Sequence, residues 1–235
     1  MTVKQVMKAL ADYGNEGTKR IYISHGATEP LFGVKIGDMK KLLKKVGKQY
    51  ELAKELYDTG NADARYFAAL SADETRMTKA DMRKWARVAD WHMLSEYGVA
   101  QLISETRQGW DLGMEFIDAK KENLACCGWS TLGSWLSFRP AEAIDLHDVE
   151  ALLERIEQTV HDQPNRLRFA MCNFVVAAGA FVPEVTEACL ALGERLKNLE
   201  VQPVKQGCSI PQIVEDLSKI KKMGRIGKKR KAGRC

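Results

Sequence analysis

Apolar residues recur every three or four positions along almost the whole chain of 235 residues, and alternating strand patterns are nearly absent. The opening segment, Val3 to Gly14, already shows this helical spacing. Three prolines fall at the boundaries of such segments, where they break no internal helical hydrogen bond: Pro140, Pro164 and Pro183. The pattern predicts an all-α fold.

The periodicity predicts about ten helices of roughly ten to eighteen residues, joined by short turns. After the first helix, a polar segment from Asn15 to Arg20 is expected to lead, through a connection, into a second helix that carries Met39 to Val46. Thr78 and Asp81 form a capping-box-like start for a later helix. Trp91 begins a longer helix that runs to about Arg107. The other helices are expected at about 49–58, 61–71, 109–120, 123–137, 147–161, 165–181, 183–198 and 212–223.

Short paired helices without a dominant long one favour an α-solenoid over a four-helix bundle. HEAT-type units recur at about 40–47 residues, and each buries its apolar face only by stacking on a neighbour. Trp85, Trp129 and the apolar run at Phe174 are about 44 and 45 residues apart, which fits this period. We therefore expect a HEAT-like helical repeat domain over 1–211. Residues 212–235 would form a C-terminal helix and a basic tail that packs on this domain or extends it.

Basic residues are concentrated at the C-terminus, although the net charge of the chain is only +5. Nine of the 36 Lys and Arg residues lie within 219–235, a segment that holds no acidic residue. In the rest of the chain, acidic residues outnumber the remaining basic ones. This distribution favours a polyanionic partner. The alternative is a solvated, frayed terminus whose lysines aid solubility.

The tail motif GRIGKKRKAGRC, residues 224–235, is suited to nucleic acid. Glycines allow the backbone to approach a surface closely. Clustered Lys and Arg displace counterions from phosphates without reading the base sequence. The main candidates for phosphate contacts are Lys222, Arg225, Lys228, Lys229, Arg230 and Lys231.

Hydropathy and cysteine usage exclude several classes of protein. The longest apolar stretch, Phe174 to Val182, falls far short of the ~20 residues needed to cross a bilayer, and the chain opens without a secretory leader. We therefore expect a soluble, cytoplasmic protein without membrane contact. No C-x-x-C pair occurs and the four histidines are scattered, so we expect no metal site and no cofactor. The six cysteines are expected to be reduced and structural: Cys126, Cys127, Cys172, Cys189, Cys208 and Cys235.

The segment DWHMLSEYGVAQLISETR is the most informative candidate site. Trp91 and Ser95 are four apart and share one face of a regular helix, whereas Glu96 is rotated by about 140° from Trp91. An indole beside a hydroxyl or carboxylate could stack on a base or sugar, while the hydroxyl or carboxylate interacts with the charge on that group. The alternative is a core role for Trp91, a packing role for Ser95 and a solvated Glu96.

A second candidate is the cluster LACCGWSTLGSWLSFRP, in which small residues accompany Trp129 and Trp135. Small residues on a helix indicate tight helix–helix packing. The alternative is a groove wall that offers aromatic surface to a nucleic acid, with Trp129 as the stacking residue.

A polar stripe is predicted on the helix that begins near Asn165. Arg166 and Asn173 are seven apart and therefore lie on one face of this helix, with Arg168 close by. We expect the stripe to face a concave surface, where Arg166 would contact a polyanion. The alternative is that Arg166 and Arg168 are ordinary charges at the start of a helix.

Three segments carry a resemblance to a known family: HGATEPLFGVKIGDMKKLLKKVG, the aromatic helix from Trp91, and the ending CSIPQIVEDLSKIKKMGRIGKKRKAGRC. In these segments and in the order of its short helices, the chain resembles the DNA alkylation repair (AlkD-like) family over nearly its whole length. The resemblance implies an array of HEAT-like repeats that curves into a positively lined groove for duplex DNA. The family's characterised enzymes release N3- and N7-alkylated purines by cleaving the N-glycosidic bond.

The resemblance also implies where such a reaction would take place. The active members place an aspartate four residues after a tryptophan, close to the sugar on which positive charge develops. The tryptophan matches Trp91, but the fourth residue on is Ser95, and the flanking acids are Asp90 and Glu96. A second family feature is an arginine that contacts DNA shortly after another tryptophan. That stretch reads Trp129-Ser130-Thr131-Leu132 here and holds no arginine.

These departures lead to three hypotheses. The first is a DNA-binding HEAT-like protein with weak or absent catalysis, in which Trp91, Trp129, Arg166 and the tail contact duplex or structurally altered DNA and Ser95 stands at the family's aspartate position. The second is a working alkylpurine DNA glycosylase in which Glu96 or Asp90 replaces the aspartate. The third is a protein-interaction scaffold, which predicts a neutral or acidic groove.

Overall fold

A computed structural model describes residues 1–203 and 210–234. Every regular element within these ranges is helical, which confirms the all-α prediction. The chain divides into two compact units, residues 1–108 together with Arg234, and residues 109–233. The predicted boundary at residue 211 stays a prediction, and Cys208 and Cys235 lie outside the described residues.

The first unit holds seven α-helices and one π-helix. Its elements, in chain order, are α1 (Val3–Tyr13), α2 (Glu16–Ser24), α3 (Ile36–Val46), α4 (Tyr50–Asp58), α5 (Ala62–Ser71), α6 (Lys79–Val88), the π-helix (Met93–Val99) and α7 (Ala100–Glu105). In its core the rings of Tyr57 and Trp85 are stacked, with centroids 4.0 Å apart. The Tyr57 hydroxyl also donates to the Trp85 carbonyl at 2.8 Å.

The second unit is built on three long helices and three shorter ones among its described residues. They are α8 (Gly109–Ile117), α9 (Glu122–Leu136), α10 (Leu146–Thr159), α11 (Asn165–Phe181), α12 (Thr186–Arg195) and α13 (Ile213–Lys222). Short 3₁₀ segments stand before α10, after α10 and before α12: Ala141–Ala143, Val160–Asp162 and Pro183–Val185. Helix α9 packs against α8 and α11.

Two helix starts follow from local sequence. The predicted capping box at Thr78 and Asp81 is present, because the Thr78 hydroxyl accepts from the Asp81 N–H and the Asp81 carboxylate accepts from the Thr78 N–H. The Asn61 side chain accepts from the Ala64 N–H at 3.0 Å and caps the start of α5. These short-range bonds explain why both starts were predictable.

Helix α2 was not predicted. The segment from Asn15 was expected to be a connection, but the Asn15 side chain caps a helix by accepting from the Thr18 N–H at 2.9 Å. Within α2 only Thr18 is buried, while Ile21 and Ile23 are exposed. The helix therefore lacks the buried apolar face on which a periodicity argument depends.

The long helix expected from Trp91 to about Arg107 is present over residues 92–105, and its first part is a π-helix. Trp91 precedes the regular helix, and residues Met93–Val99 form a π-helix in which the Ala100 N–H donates to the Ser95 carbonyl. Helix α7 then ends at Glu105, since Thr106 is extended. The predicted helix is therefore present, but its π-helical part was not predicted, because periodicity does not reveal a local change to wider turns.

Among the described residues, no single helix is long and apolar enough to span a membrane. The helix Asn165–Phe181 reaches that length and composition only together with Pro183–Arg195, from which it is bent by 115°.

Candidate nucleic-acid interface

Residues 32–34, the FGV part of the family-like motif, are held in place by a buried carboxylate on α5. Asp63 accepts the backbone N–H groups of Phe32 at 2.5 Å, Gly33 at 2.9 Å and Val34 at 2.9 Å. Burial raises the pKa of Asp63, and the three N–H donors act in the opposite direction by stabilising the charged form. The carboxylate thereby organises the FGV part of the family-like motif.

Gly33 is required in this motif for a geometric reason. Its φ is +77°, and a Cβ at this position would lie 2.4 Å from the Lys19 backbone nitrogen. The same chain segment receives the Tyr22 hydroxyl, which donates to the Val34 carbonyl at 2.9 Å. Burial raises the pKa of Tyr22 to about 12, and the nearby Asp63 charge adds to this shift. Tyr22 is therefore a neutral hydrogen-bond donor at physiological pH.

Trp91 lies in an aromatic cluster in the first unit and is only 2% exposed. Its ring centroid is 4.9 Å from that of Tyr22 and 6.4 Å from that of Tyr66. The indole Nε1–H is buried and has no hydrogen-bond partner among the residues that the structure describes. Trp91 therefore has the core role that the alternative proposed. Its indole N–H, however, has no protein acceptor among the described residues.

Ser95 and Glu96 lie in the π-helix that follows Trp91. Both are buried, at 0% and 3% exposure, so Glu96 is not the solvated charge that the alternative expected. The Ser95 N–H donates to the Trp91 carbonyl at 2.9 Å. Because the π-helix widens the turn here, the rotation of about 140° expected for a regular helix does not describe Trp91 and Glu96.

Asp90 stands at the exposed end of the same cluster. Its Oδ2 accepts a hydrogen bond from the Thr28 hydroxyl at 3.3 Å, which links it to the connection that leads to residues 32–34. The first unit thus brings Trp91, Ser95, Glu96 and Asp90 into one region. A carboxylate is present there, but the position at which the resemblance places it holds a serine hydroxyl that stays neutral.

Trp129 belongs to the core of the second unit. It is 1% exposed, and its ring packs edge-on against Phe174 with centroids 5.2 Å apart. A side chain buried to this degree cannot stack on a base without leaving the core. The tight-packing alternative therefore describes Trp129.

The polar stripe on α11 is only partly available to a ligand. Asn165 is paired with the Gln202 backbone through both its oxygen and its nitrogen, at 2.7 and 3.0 Å. Arg168 donates to three carbonyls, those of His161, Gln163 and Glu200. Arg166 stacks over Phe169, with its guanidinium carbon 4.2 Å from the ring centroid.

The basic tail lies against the second unit. Gly227 adopts φ +75°, its N–H donates to the Ala180 carbonyl at 2.9 Å, and a Cβ there would lie 2.9 Å from Pro183. The sequence predicted that the tail glycines let the backbone approach a surface closely. At Gly227, that surface is the protein itself.

Two tail cations are used in this docking. Lys229 Nζ donates to the Leu136 carbonyl at 2.9 Å. A cation at this position also complements the negative C-terminal end of the α9 dipole. Burial lowers the pKa of Lys229. The Arg230 N–H donates to the Ser137 carbonyl at 2.8 Å. The remaining four predicted phosphate contacts are exposed: Lys222, Arg225, Lys228 and Lys231.

Arg234 is the most constrained residue of the tail and belongs to the first unit. Its Nη2 contacts Glu74 at 2.5 Å and Glu105 at 2.7 Å, and its side chain is 6% exposed. Its Nη1 donates to the carbonyls of Ala69 and Ala72. The expectation of a frayed, solvated terminus therefore fails for Arg234.

Sequence reasoning singled out Trp135 but missed the aromatic cluster that it forms in the second unit. The rings of Trp110 and Trp135 lie 4.9 Å apart, and the Arg139 guanidinium stands over the rings of both Trp135 and Phe138. The four-residue separation of Trp135 and Arg139 at the end of α9 was the available signal.

A family model, described as DNA alkylation repair enzyme, matches residues 6–192. The chain belongs to this family. The DNA alkylation repair family has relatives of similar length in Listeria. The uncharacterized protein Lin0241 of Listeria innocua serovar 6a is 26% identical over 227 residues, which is 94% of this chain and 98% of that protein. The uncharacterized protein Lmo0209 of Listeria monocytogenes serovar 1/2a is 24% identical over the same shares.

One solved structure covers this DNA alkylation repair protein completely. It is 36% identical, the TM-score is 0.92, and the match spans 100% of both chains. That protein represents a new family related to the HEAT-like repeat DNA glycosylases, with affinity for branched DNA structures. The likeness confirms the predicted HEAT-like repeat fold.

Proposed function

We propose that this protein binds branched DNA and has weak or absent base-excision activity. The observation that carries the proposal is the full-length likeness, at 36% identity, to a protein of a family with affinity for branched DNA structures. Exposed cations in the tail support it, since phosphate contacts supply sequence-independent affinity. The buried cysteines Cys126, Cys127, Cys172 and Cys189 suit a reducing compartment, and the cytoplasm stays our proposed location.

Weak catalysis follows from the chemistry at Ser95. An alkylated purine is already a good leaving group, so the protein must mainly stabilise positive charge on the sugar. A hydroxyl that is 0% exposed offers no negative charge for that purpose. The residues proposed here need no cofactor and no metal.

An active glycosylase is the second candidate, and Glu96 favours it. This carboxylate lies five residues after Trp91, within the π-helix, and such helices are frequent at functional sites. Glu96 would have to supply the charge that Ser95 cannot. Its 3% exposure means that it would act within the protein interior.

Two assays on the same preparation test the proposal. Fluorescence anisotropy should show tighter binding to a four-way junction than to a duplex of equal length, and the affinity should fall steeply between 50 and 200 mM salt, by roughly a hundredfold or more if about five phosphates are contacted. A single-turnover assay on DNA that carries N7-methylguanine or N3-methyladenine should show no release above the spontaneous rate. Release that Glu96→Gln abolishes would establish the second candidate instead.

A further inference from the structure

The second unit carries an aromatic–arginine patch, formed by Trp110, Trp135, Phe138 and Arg139. Trp110 lies in the first turn of α8 and Trp135 in the last turn of α9, with their rings tilted by 52°. Both indoles are partly exposed at the rim of the hydrophobic core. The other three tryptophans of the chain are almost completely buried: Trp85, Trp91 and Trp129.

Arg139 gives the patch a positive charge. Its guanidinium carbon lies 5.5 Å from the Trp135 ring centroid and 5.0 Å from that of Phe138, both within the range of a cation–π interaction. A planar guanidinium held against aromatic rings resembles the groups on which proteins stack nucleobases. The patch thus combines stacking surface with a cation.

The basic tail contacts the chain segment that carries this patch. Lys229 and Arg230 bond to the carbonyls of Leu136 and Ser137, the two residues between Trp135 and Phe138. The tail residues on either side of these contacts, Lys228 and Lys231, are exposed. Exposed cations therefore stand next in the chain to Lys229 and Arg230, whose contacts lie between Trp135 and Phe138 on the same unit.

We propose that the patch binds an unpaired nucleotide of branched DNA, with the base against Trp135 and Arg139 and the adjoining phosphates at Lys228 and Lys231. This inference rests on the proposed function and adds to it the feature of the DNA that is recognised. In a continuous duplex each base face is covered by its neighbours, whereas a branch point leaves bases without a stacking partner. A surface of rings and cations favours such a nucleotide over an apolar peptide, which gains nothing from the cations.

The test uses the full-length protein, an oligothymidine of ten nucleotides, a fully paired four-way junction and a three-way junction with two unpaired thymidines at the branch. Oligothymidine should quench the tryptophan emission of the wild type. Trp135→Leu and Arg139→Gln should each weaken binding to oligothymidine and to the three-way junction by roughly fivefold to a hundredfold, the range expected for one stacked base. Binding to the fully paired junction should change less than twofold.

Two further variants keep the result interpretable. Trp135→Phe retains a ring and should retain most of the affinity, which separates a loss of stacking from a loss of folding. Tyr13→Leu removes a partly exposed aromatic side chain in the first unit and should leave all three affinities unchanged.

Each outcome has a distinct consequence. If the patch variants bind every DNA as the wild type does, the patch proposal fails while the proposed function stands. Equal losses on all three DNAs, or no change in tryptophan emission at saturation, also overturn the patch. If the wild type binds oligothymidine but no junction, the proposed function fails, and the patch proposal fails with it because no branched DNA is bound. If it binds neither, both fail as well.

Discussion

The guanidinium of Arg234 lies 2.7 Å from the carboxylate of Glu105, although the two residues are 129 positions apart in the chain. The side chains of Arg234 and Glu105 are 6% and 9% exposed, so this pair is largely removed from solvent. Removing one partner of a buried pair leaves the other charge uncompensated. Arg234 is thereby a structural residue of the first unit.

Arg234→Ala should lower the free energy of unfolding by about 3 kcal/mol, because it removes the nearest cation from the buried Glu105 carboxylate and leaves Lys48, at 3.8 Å, as a more distant one. Urea denaturation monitored by circular dichroism measures this loss. Arg225→Ala removes an exposed arginine from the same tail and should change stability by less than about 0.5 kcal/mol. Equal stability of the two variants would show that Arg234 is solvated in solution.

Glu74 should make the protein sensitive to acid. Burial alone would raise its pKa, but the hydrogen bond from Lys48 and the charge of Arg234 lower the pKa below its usual value. A carboxyl with a lowered folded-state pKa contributes stability above its unfolded pKa of about 4.5, and this contribution is lost as the pH falls through the folded-state value. The stability difference between wild type and Glu74→Gln should therefore be largest near pH 7 and shrink below about pH 4.

Chemical denaturation at a series of pH values measures this dependence. Glu187→Gln is a suitable control, since Glu187 pairs with Lys221 at an exposed surface site. A difference between wild type and Glu74→Gln that stays constant down to pH 3 would contradict the assigned role of Glu74.

Asp63→Asn should destabilise the protein by about 1–3 kcal/mol. The carboxylate accepts hydrogen bonds from three backbone N–H groups, whereas the amide of Asn would place its own N–H donors against some of these groups. Thermal unfolding gives the magnitude. Asp118→Asn, at an exposed ion pair with Arg155, should have little effect. If the two substitutions are equivalent, Asp63 does not organise residues 32–34.

Ser95→Asp should also destabilise the protein, because it buries a charge at a position that is 0% exposed. We expect a loss of several kcal/mol without any gain in release of N7-methylguanine. Ser218→Asp, at a partly exposed position of α13, serves as the matched control for stability. An active and stable Ser95→Asp variant would show that the site still has room for the family's carboxylate.

The exposed tail cations should determine the salt dependence of DNA binding. Replacing Lys222, Arg225, Lys228 and Lys231 by Gln should lower the slope of log affinity against log salt by up to about 3–4, since each lost phosphate contact removes about 0.9 for B-form DNA. Replacing four exposed lysines of the first unit changes the net charge equally and is the control: Lys4, Lys8, Lys44 and Lys45. If both sets reduce the slope to the same extent, the tail has no special role.

Local patterns predicted most of the helices. The start of α6 follows from Thr78 and Asp81, which bond across three residues, and helical spacing marks the buried faces. Helix α2 was not predicted because it buries almost no apolar side chains. The π-helix was not predicted because a widened turn leaves the apolar spacing almost unchanged.

The site was less predictable because its contacts are long-range. Lys229 reaches the Leu136 carbonyl across 93 residues, and Trp110 meets Trp135 only through the packing of α8 on α9. Composition identified the tail as basic. It could not separate Lys229, whose ammonium is bonded to the protein, from the exposed Lys228.

A competition titration tests the central claim most directly. A labelled four-way junction bound to the wild-type protein is displaced with unlabelled junction or with unlabelled duplex of the same length and base composition. The account predicts that the duplex competes at least tenfold less well than the junction at physiological salt. Equal competition by the two DNAs, or no complex to displace, would contradict it.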